Sequence, residues 1–344
     1  MSSMNKATQN TLQKQWTAFR LGHLGDVVLT TGVLARLGET RGWTFAVVTR
    51  EAWASVFTNH PFVTRVISPR DDELTATGFA AFCRNTAQQC EGWGFLDLHG
   101  SLRSRMMGLA WRGPVLRYPK MSVQRRLFLS SGGRFCGAGL RAVNVPQRYA
   151  MAVEASPPPP KSLLPKIWLT AGERDAARAR LHSLFPGDGP PVALHPYATH
   201  ALKAWPDTHW KTLTARLDAG GIPWIVLGKG APLFPGNSRD LTGVTTLRET
   251  CALLASSRAL VTGDSGPMHL GTAVGTPVIA LFGPTTREWG FFPSGARDSV
   301  LESALPCRPC SLHGKKPCPR RGECLTSLTP ESVLRVIEEP ASKV

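Results

Sequence analysis

Short apolar segments alternate with helix-like segments along most of this chain, and this alternation occurs in two separate runs. The predicted strands of the first run are residues 16–21, 45–49, 63–67 and 95–98, and those of the second run are 192–195, 224–227, 259–262 and 278–282. Helix-like stretches lie between them, among them 206–220, 247–256, 268–274 and roughly 330–339. Strands that alternate with helices form parallel βαβ units. The pattern therefore predicts an α/β protein with two doubly wound sheets.

A proline run at residues 156–161 (SPPPPK) separates the two runs of strands. Consecutive prolines hold the backbone extended and cannot donate hydrogen bonds to a sheet, so this segment predicts a linker. A chain of 344 residues is long enough to build two cores. We predict two Rossmann-like domains, an N-terminal one over residues 16–160 and a C-terminal one over 161–344. In sheets of this kind, ligands bind in the crevice at the carboxyl ends of the strands.

The chain is strongly basic, with 40 Lys and Arg against 24 Asp and Glu and a formal net charge of +16. Such an excess favours polyanionic partners, whether phosphates, nucleic acid or an anionic membrane face. Residues 1–16 are polar and lack the apolar centre of a signal peptide. No apolar run approaches the roughly 20 residues that span a bilayer. We expect a cytoplasmic protein, either soluble or peripheral to a membrane.

Residues 262–270, TGDSGPMHL, connect a predicted strand to a predicted helix. Gly263 and Gly266 let a ligand approach the backbone closely, and Ser265 and the first helix amides offer donors to phosphate oxygens. The next strand ends in LFGPT, which places the Thr285 hydroxyl on the same edge of the sheet. Taken singly, most of these residues are typical of turns and helix caps. Together they predict a site for a phosphate-bearing ligand.

Six further segments of the sequence carry recognisable motifs. They are RLGHLGD at 20–26, DLHGSLRS at 97–104, RRL at 125–127, HPY at 195–197, KAWP at 203–206 and DLTG at 240–243. With DSGPMHL and LFGPT, and in this order, they resemble glycosyltransferase family 9, the ADP-heptose:lipopolysaccharide heptosyltransferases. The resemblance extends from about residue 16 to about residue 335. It implies an inverting, metal-independent transferase with the GT-B fold, in which two Rossmann-like domains face a cleft.

The resemblance also implies roles for individual residues. Asp26 would be the general base, taking the proton of the acceptor hydroxyl as that oxygen attacks the anomeric carbon. Lys203 would hold the donor diphosphate. A fixed cation there stabilises the negative charge that develops on the diphosphate as it leaves. The other donor-binding residues would be Gly263, Asp264, Ser265, Gly266, Met268, His269 and Thr285. The acceptor-binding residues would be Arg103, Arg105, Arg125 and Arg126, since arginine binds phosphate and carboxylate groups bidentately.

The resemblance thus predicts transfer of heptose from ADP-heptose to the anionic inner core of lipopolysaccharide, at the cytoplasmic face of the inner membrane. No cofactor would be required for catalysis. This chain departs from the family pattern at Gly32, where members usually have proline, and at residues 228–232 (GKGAP). The latter segment lacks the acidic residue that often contacts the donor nucleoside. The adenine base is therefore implied by the family alone.

Two alternatives stay open. The same fold could use another nucleotide sugar or another surface-glycan acceptor. A basic nucleic-acid-binding protein with a zinc module, a different class, would account for the charge and the cysteines but not for DSGPMHL and GPT. We expect no nucleic-acid partner. A nicotinamide dehydrogenase fits less well, because RLGHLGD lacks the GxGxxG spacing of a dinucleotide site.

Four of the eight cysteines, Cys307, Cys310, Cys318 and Cys324, lie in a proline-rich segment. Four thiolates on a short loop can close a tetrahedral structural zinc site, with His313 as a substitute ligand. Zinc ribbons usually pair two CxxC units, however, and only Cys307 and Cys310 have that spacing. A structural zinc, reduced thiols and a labile disulfide are all compatible with the pattern. Any zinc would hold the loop and take no part in sugar transfer.

Overall fold

The computed structural model describes residues 13–312, 314, 318 and 320–339. Contacts divide the chain into two compact units. The first unit comprises the chain up to Lys120 together with Val145–Trp168, and the second comprises Met121–Asn144 together with the chain from Leu169 onward. No helix among the described residues is long and apolar enough to cross a lipid bilayer.

The first unit is built on a parallel five-stranded sheet with the strand order β3-β2-β1-β4-β5. Its strands are β1 (Gln15–Phe19), β2 (Thr44–Val48), β3 (Val63–Ile67), β4 (Gly94–Asp97) and β5 (Val115–Arg117). The helices up to residue 110 are α1 (Leu24–Arg41), α2 (Glu51–Ala54), α3 (Ala76–Gln89) and α4 (Leu102–Ala110). Short 3₁₀ turns occupy Ser55–Phe57 and Asp72–Leu74. The central strands read as continuous apolar runs because both of their faces are buried, as Phe19 and Phe95 show at 0% exposure.

Three short helices follow this sheet in the chain. Helices α5 (Ser122–Ser130) and α6 (Gly137–Arg141) belong to the second unit, and α7 (Val145–Ala150) returns to the first. A 3₁₀ turn at Pro160–Leu163 then packs against α1. The first sheet reverses its winding between β1 and β4, so the loops that leave these two strands diverge at their carboxyl ends.

The second unit repeats this plan with the strand order β10-β9-β8-β6-β7, and all its strands are parallel. Its strands are β6 (Val192–His195), β7 (Trp224–Val226), β8 (Ala259–Gly263), β9 (Val278–Phe282) and β10 (Ser299–Glu302). Its remaining helices are α8 (Ala171–Leu184), α9 (Asp207–Ala219), α10 (Leu247–Ala255), α11 (Gly266–Val274), α12 (Glu323–Thr326) and α13 (Pro330–Glu338), with 3₁₀ turns at Ala201–Lys203 and Arg287–Trp289. The winding of this sheet reverses between β6 and β8. The α/β class and the two doubly wound sheets predicted from the sequence are confirmed.

The contact units differ from the predicted domain ranges, 16–160 and 161–344, in two places. The first unit continues past the proline run to Trp168, and the segment Met121–Asn144 groups with the second unit. This grouping has a physical reason: Phe128 and Leu140 pack with Trp289, and the Arg141 guanidinium donates to the Glu288 carboxylate over 2.5 Å. The predicted ranges concern independently folding domains and stay a prediction.

Candidate active site

Asp26 lies in the first turn of α1, directly beyond the carboxyl end of β1. Its Oδ2 forms an ion pair with Arg20 Nη2 at 2.5 Å, and the Tyr149 hydroxyl donates to its Oδ1 over 3.0 Å. Arg20 Nη1 also donates to the Leu98 carbonyl, just beyond β4, over 2.8 Å. One guanidinium therefore joins the loops that leave β1 and β4, at the place where the sheet reverses its winding. A carboxylate offers about four acceptor positions, so two such donors orient Asp26 without exhausting its capacity.

The groups around Asp26 have defined protonation states at neutral pH. Burial raises the pKa of Tyr149 well above its ordinary value, so its hydroxyl remains a donor. Burial, followed by the charges of Arg20 and Lys120, lowers the pKa of His99 to about 3 and keeps that imidazole neutral. Burial disfavours the charged form of Arg20, but the attraction of Asp26 and its other partners outweighs this effect. The pKa of Arg20 therefore lies above its ordinary value. The cluster thus places the Asp26 carboxyl group beside the Arg20 guanidinium and a neutral phenol that donates to it, with a neutral imidazole nearby.

A second polar cluster lies at the carboxyl edge of the second sheet. Lys203 Nζ pairs with Asp264 Oδ2 at 2.5 Å, and the Thr285 hydroxyl donates to the same oxygen over 2.7 Å. These residues follow β6, β8 and β9, three neighbouring strands. The Lys203 and Asp264 side chains are 17% and 13% exposed, so the pair is largely shielded from water. An ammonium has three protons, and one lysine can therefore hold a carboxylate and still donate to a phosphate oxygen.

The junction between β8 and α11 supplies the backbone of this second cluster. Gly263 suits this junction, because a Cβ there would lie in tight contact, at 3.0 Å, with the Lys203 carbonyl oxygen. Ser265 precedes the first turn of α11, and its hydroxyl lies 3.2 Å from that of Thr262, which in turn lies 3.3 Å from His195 Nδ1. Burial lowers the pKa of His195 to about 4, so this imidazole is neutral. With Gly266 as its first residue, α11 points its amide end toward the edge where Lys203 lies, an arrangement that favours anions.

Two predicted donor-binding residues have side chains in the interior of the second unit. Met268 is 0% exposed and His269 is 4% exposed, and both lie on α11. The His269 ring centroid lies 6.3 Å from that of Phe291. Burial of this kind is typical of packing residues. Their proposed contact with a donor stays a prediction, and Met268 would reach a ligand only through its backbone.

The predicted acceptor arginines are divided between the two units. Arg103 and Arg105 lie on α4 of the first unit, whereas Arg125 and Arg126 lie on α5 of the second. Arg103 Nη2 donates to the Leu74 carbonyl over 2.8 Å, and its guanidinium lies 5.7 Å from the centre of the Phe79 ring. Arg103 thereby fastens α4 to its neighbours within the first unit. Arg105 and Arg126 are exposed.

Sequence reasoning assigned no role to several residues that shape these clusters. Arg20 belongs to the RLGHLGD motif and could have been proposed as a partner of Asp26, whereas Tyr149 is 123 residues from Asp26 and carried no signal. Arg308 was overlooked as well. It donates to the carbonyls of Gly283 and Thr285 over 2.6 Å and 2.9 Å, and so holds the loop that carries the Thr285 hydroxyl.

The four clustered cysteines are all free thiols. Burial raises the pKa of Cys310 and of Cys324, and neighbouring cysteines of the cluster add to both shifts. Within the described part of the chain, no three His, Cys, Asp or Glu side chains form a group that could hold a metal ion. His313 lies outside the described residues. Zinc binding by the four cysteines therefore stays a prediction.

Two Rossmann-like units, each with its polar cluster at the carboxyl edge of a parallel sheet, define the GT-B class of α/β fold. The model of the family described as glycosyltransferase family 9 (heptosyltransferase) matches residues 147–318, half of the chain. The chain belongs to this family, as its motifs predicted. Membership does not favour the nucleic-acid-binding alternative.

Individual relatives agree with this assignment. The chain is 31% identical to lipopolysaccharide heptosyltransferase 2 of Salmonella typhimurium over 100 residues, which cover 25% of this chain and 29% of that protein. It is 33% identical to lipopolysaccharide heptosyltransferase 1 of Pseudomonas aeruginosa over 159 residues, 43% of each chain. The matched regions thus span less than half of these curated relatives. The structure of Escherichia coli ADP-heptose lps heptosyltransferase II superposes with a TM-score of 0.71 at 19% identity, covering 94% of this chain and 97% of that one, and shows the shared fold.

Proposed function

We propose that this chain transfers heptose from ADP-heptose to the inner core of lipopolysaccharide, with inversion at the anomeric carbon and without a metal ion. The observation that carries the proposal is the Asp26 carboxylate, oriented by Arg20 and Tyr149 at the reversal point of the first sheet. Family membership supports the class of reaction. The names of the relatives support the sugar, the nucleotide and the acceptor. The enzyme would work in the cytoplasm, peripheral to the inner membrane.

In the proposed reaction, Asp26 accepts the proton of the acceptor hydroxyl while that oxygen attacks the anomeric carbon. The bond from this carbon to the diphosphate oxygen breaks on the opposite side, so a single displacement inverts the configuration. Arg20 and Tyr149 do not touch the substrate in this scheme. They hold both Asp26 oxygens in position, which places the base before the reaction begins.

The donor diphosphate is proposed to bind at the carboxyl edge of the second sheet. Lys203 and the first amides of α11 would contact its oxygens, with Gly263, Ser265 and Gly266 providing the close backbone approach. Negative charge grows on the diphosphate as it leaves, and a fixed ammonium stabilises the transition state more than the ground state. Asp264 and Thr285 would keep Lys203 at this edge. Arg103, Arg105, Arg125 and Arg126 remain the proposed contacts of the anionic acceptor.

The test is a transfer assay with ADP-heptose and lipopolysaccharide that lacks the heptose. Its two readouts are the release of ADP and the mass of the product. We expect Asp26→Asn to reduce turnover by about 10²–10⁴, the usual effect of losing a general base, with ADP affinity within a few-fold of wild type. Asp175→Asn, which removes an exposed carboxylate on α8, is the matched control and should retain wild-type turnover. Undiminished transfer by the Asp26→Asn variant would exclude Asp26 as the base.

Donor identity is tested separately by thermal shift with ADP, UDP, GDP and their sugars, because a ligand that binds the folded state raises the melting temperature. We expect the largest shift with ADP-heptose. A larger shift with UDP- or GDP-sugars would replace the proposed donor by another nucleotide sugar. It would leave the reaction type intact.

A further inference from the structure

Three of the six large apolar side chains that are exposed among the described residues lie on α5 and the loop that follows it, and two others, Leu102 and Leu109, lie on α4. Val123 is 66% exposed, Leu127 49% and Phe135 66%. Val123 and Leu127 are four residues apart and therefore lie on one face of α5. Two exposed arginines, Arg126 and Arg134, accompany them. We refer to Val123, Leu127, Arg134 and Phe135 as the α5 face.

Other side chains of the same segment are buried and hold it against the second unit. Phe128 is 3% exposed and Leu140 is 1% exposed, and both pack with Trp289. Arg141 pairs with the buried carboxylate of Glu288. The segment therefore has one apolar side that is committed to the core of its unit and a second apolar side that faces solvent. Burial within the unit does not explain the second side.

The segment that carries this face is basic, although Arg141 is paired with Glu288. Residues 121–144 contain Arg125, Arg126, Arg134 and Arg141 and no Asp or Glu, and no acidic residue occurs anywhere from 98 to 153. A stretch with several arginines and no carboxylate of its own contributes a positive electrostatic potential at the surface. An anionic partner that also offers apolar surface therefore fits the α5 face.

We propose that the α5 face docks on the surface of an anionic phospholipid bilayer. Val123, Leu127 and Phe135 would enter the region between headgroups and acyl chains, while Arg134 contacts lipid phosphates. Apolar side chains on one face with arginines beside them are the pattern of interfacial helices. A nucleic acid would satisfy the arginines but would offer no apolar environment to Val123 and Leu127. The inference rests on the proposed function only in that a lipid-borne acceptor brings the enzyme to a membrane.

Co-sedimentation of the full chain with vesicles that contain no lipopolysaccharide tests the docking itself. One set of vesicles is phosphatidylethanolamine with phosphatidylglycerol, and the other is phosphatidylcholine alone. We expect binding to the first set, weakened by salt, and little binding to the second. Arg134→Gln should lower the partition coefficient about fivefold, the usual effect of one cation near an anionic surface. Leu127→Ser combined with Phe135→Ser should lower it by more than about tenfold, since two apolar side chains lose their burial.

The matched control is Val244→Ser, which removes a side chain that is 60% exposed but lies outside the basic segment. This variant should bind vesicles like wild type. ADP affinity, measured by calorimetry for every variant, shows that the second unit is folded. Equal binding to both vesicle types, unchanged binding by the α5 variants, or an equal loss in Val244→Ser would overturn the proposal. So would self-association or RNA binding that the α5 variants abolish while vesicle binding persists.

Turnover on a water-soluble, deacylated acceptor separates this proposal from the proposed function. The Leu127→Ser, Phe135→Ser variant should transfer heptose to that acceptor at the wild-type rate. A chain that transfers heptose but does not bind vesicles overturns the docking proposal alone. A chain that binds anionic vesicles through the α5 face but transfers no heptose overturns the proposed function and leaves docking in place.

Discussion

At Asp26, one carboxylate receives two donors from different parts of the chain, Arg20 from the end of β1 and Tyr149 from α7. The cation and the phenol act differently. Arg20 supplies charge, and it also donates to Leu98, so its removal would disturb the loop beyond β4. Tyr149 supplies only a hydroxyl to Asp26, and phenylalanine preserves its ring. Tyr149 is therefore the partner that can be changed most selectively.

We predict that Tyr149→Phe shifts the acid limb of the kcat/KM profile to higher pH. A hydrogen bond donated to an ionised carboxylate favours the ionised form, so its loss makes that carboxylate protonate more readily. Turnover at high pH should fall far less than in Asp26→Asn. The measurement is kcat/KM across pH, with Tyr197→Phe in the second unit as control. An acid limb at the wild-type position would show that Tyr149 does not position Asp26.

The proposed contact between Lys203 and the donor phosphates can be tested separately from binding of the nucleoside. We predict that Lys203→Ala weakens binding of ADP markedly and binding of adenosine very little, because the ammonium is proposed to contact only the diphosphate. Isothermal calorimetry with both ligands measures the difference, and Lys211→Ala on the exposed side of α9 serves as control. Equal losses for adenosine and ADP would mean that Lys203 supports the fold of the site and does not hold phosphate.

Among the elements, α1 shows why this chain departs from the family at Gly32. A Cβ at Gly32 would lie 2.2 Å from the Leu164 carbonyl oxygen and 2.6 Å from that of Leu163. The backbone beyond the 3₁₀ turn at Pro160–Leu163 thus crosses α1 in direct contact with the glycine. Any residue with a Cβ, proline included, would force the two segments apart. The close crossing explains the glycine that motif comparison left unexplained.

Because of this crossing, we expect replacement of Gly32 by alanine to lower the stability of the protein and not to raise it. Alanine usually stabilises a helix interior by about 1 kcal/mol relative to glycine, but we predict that Gly32→Ala lowers the free energy of unfolding by roughly 1–3 kcal/mol through overpacking. Gly172→Ala on α8 is the matched control, because nothing lies within 4 Å of its Cβ. Urea unfolding measures both. Stabilisation by Gly32→Ala similar to that by Gly172→Ala would contradict the close crossing.

Element predictions succeeded where burial on both faces produced an uninterrupted apolar run. The fully buried strands at 192–195 and 278–282 have the predicted bounds, and so does the edge strand at 63–67, although Thr64 and Arg65 are exposed there. The edge strands β5 and β10 were missed because they are short and only partly buried, so neither contains such a run. Helix α8 was missed as well, although Thr170 and Glu173 form a capping box that was visible in the sequence.

For the molecule as a whole, we expect acid stability to depend on neutral histidines in both units, among them His60 in the first and His195 in the second. His60 Nε2 lies 3.0 Å from the Thr31 carbonyl, and its Nδ1 accepts from the Phe62 amide over 3.2 Å, so the ring has one donor role and one acceptor role. A second ring proton would point at an N–H group. Burial lowers the pKa of His60 and of His195 to about 4.

We predict that the free energy of unfolding falls as the pH drops from about 6.5 toward 4. An unfolded histidine binds a proton near pH 6.5 and the folded one only near pH 4, so in this window the unfolded state binds more protons. Each histidine should cost about 2 kcal/mol by about pH 5. Urea unfolding of wild type and His60→Gln at about pH 7.5 and about pH 5 measures this. A variant that loses as much stability on acidification as wild type would exclude His60 from the effect.

By itself, the sequence determined the alternation of strands and helices, the family, and the segments beyond the strand ends in which Asp26, Lys203 and Thr285 lie. These features depend on apolar periodicity, capping and glycine placement, all of which act between residues a few positions apart. They could therefore be recognised before the structure was known.

Only the tertiary structure decided which distant groups meet. Tyr149 reaches Asp26 across 123 residues, Arg308 holds the Gly283 and Thr285 carbonyls, and the segment Met121–Asn144 joins the second unit. Met268 has its side chain in the interior although its motif suggested a ligand contact. Such pairings depend on strand order and on which helix covers which face of a sheet. Local sequence does not encode either, because both arise from the simultaneous packing of the whole unit.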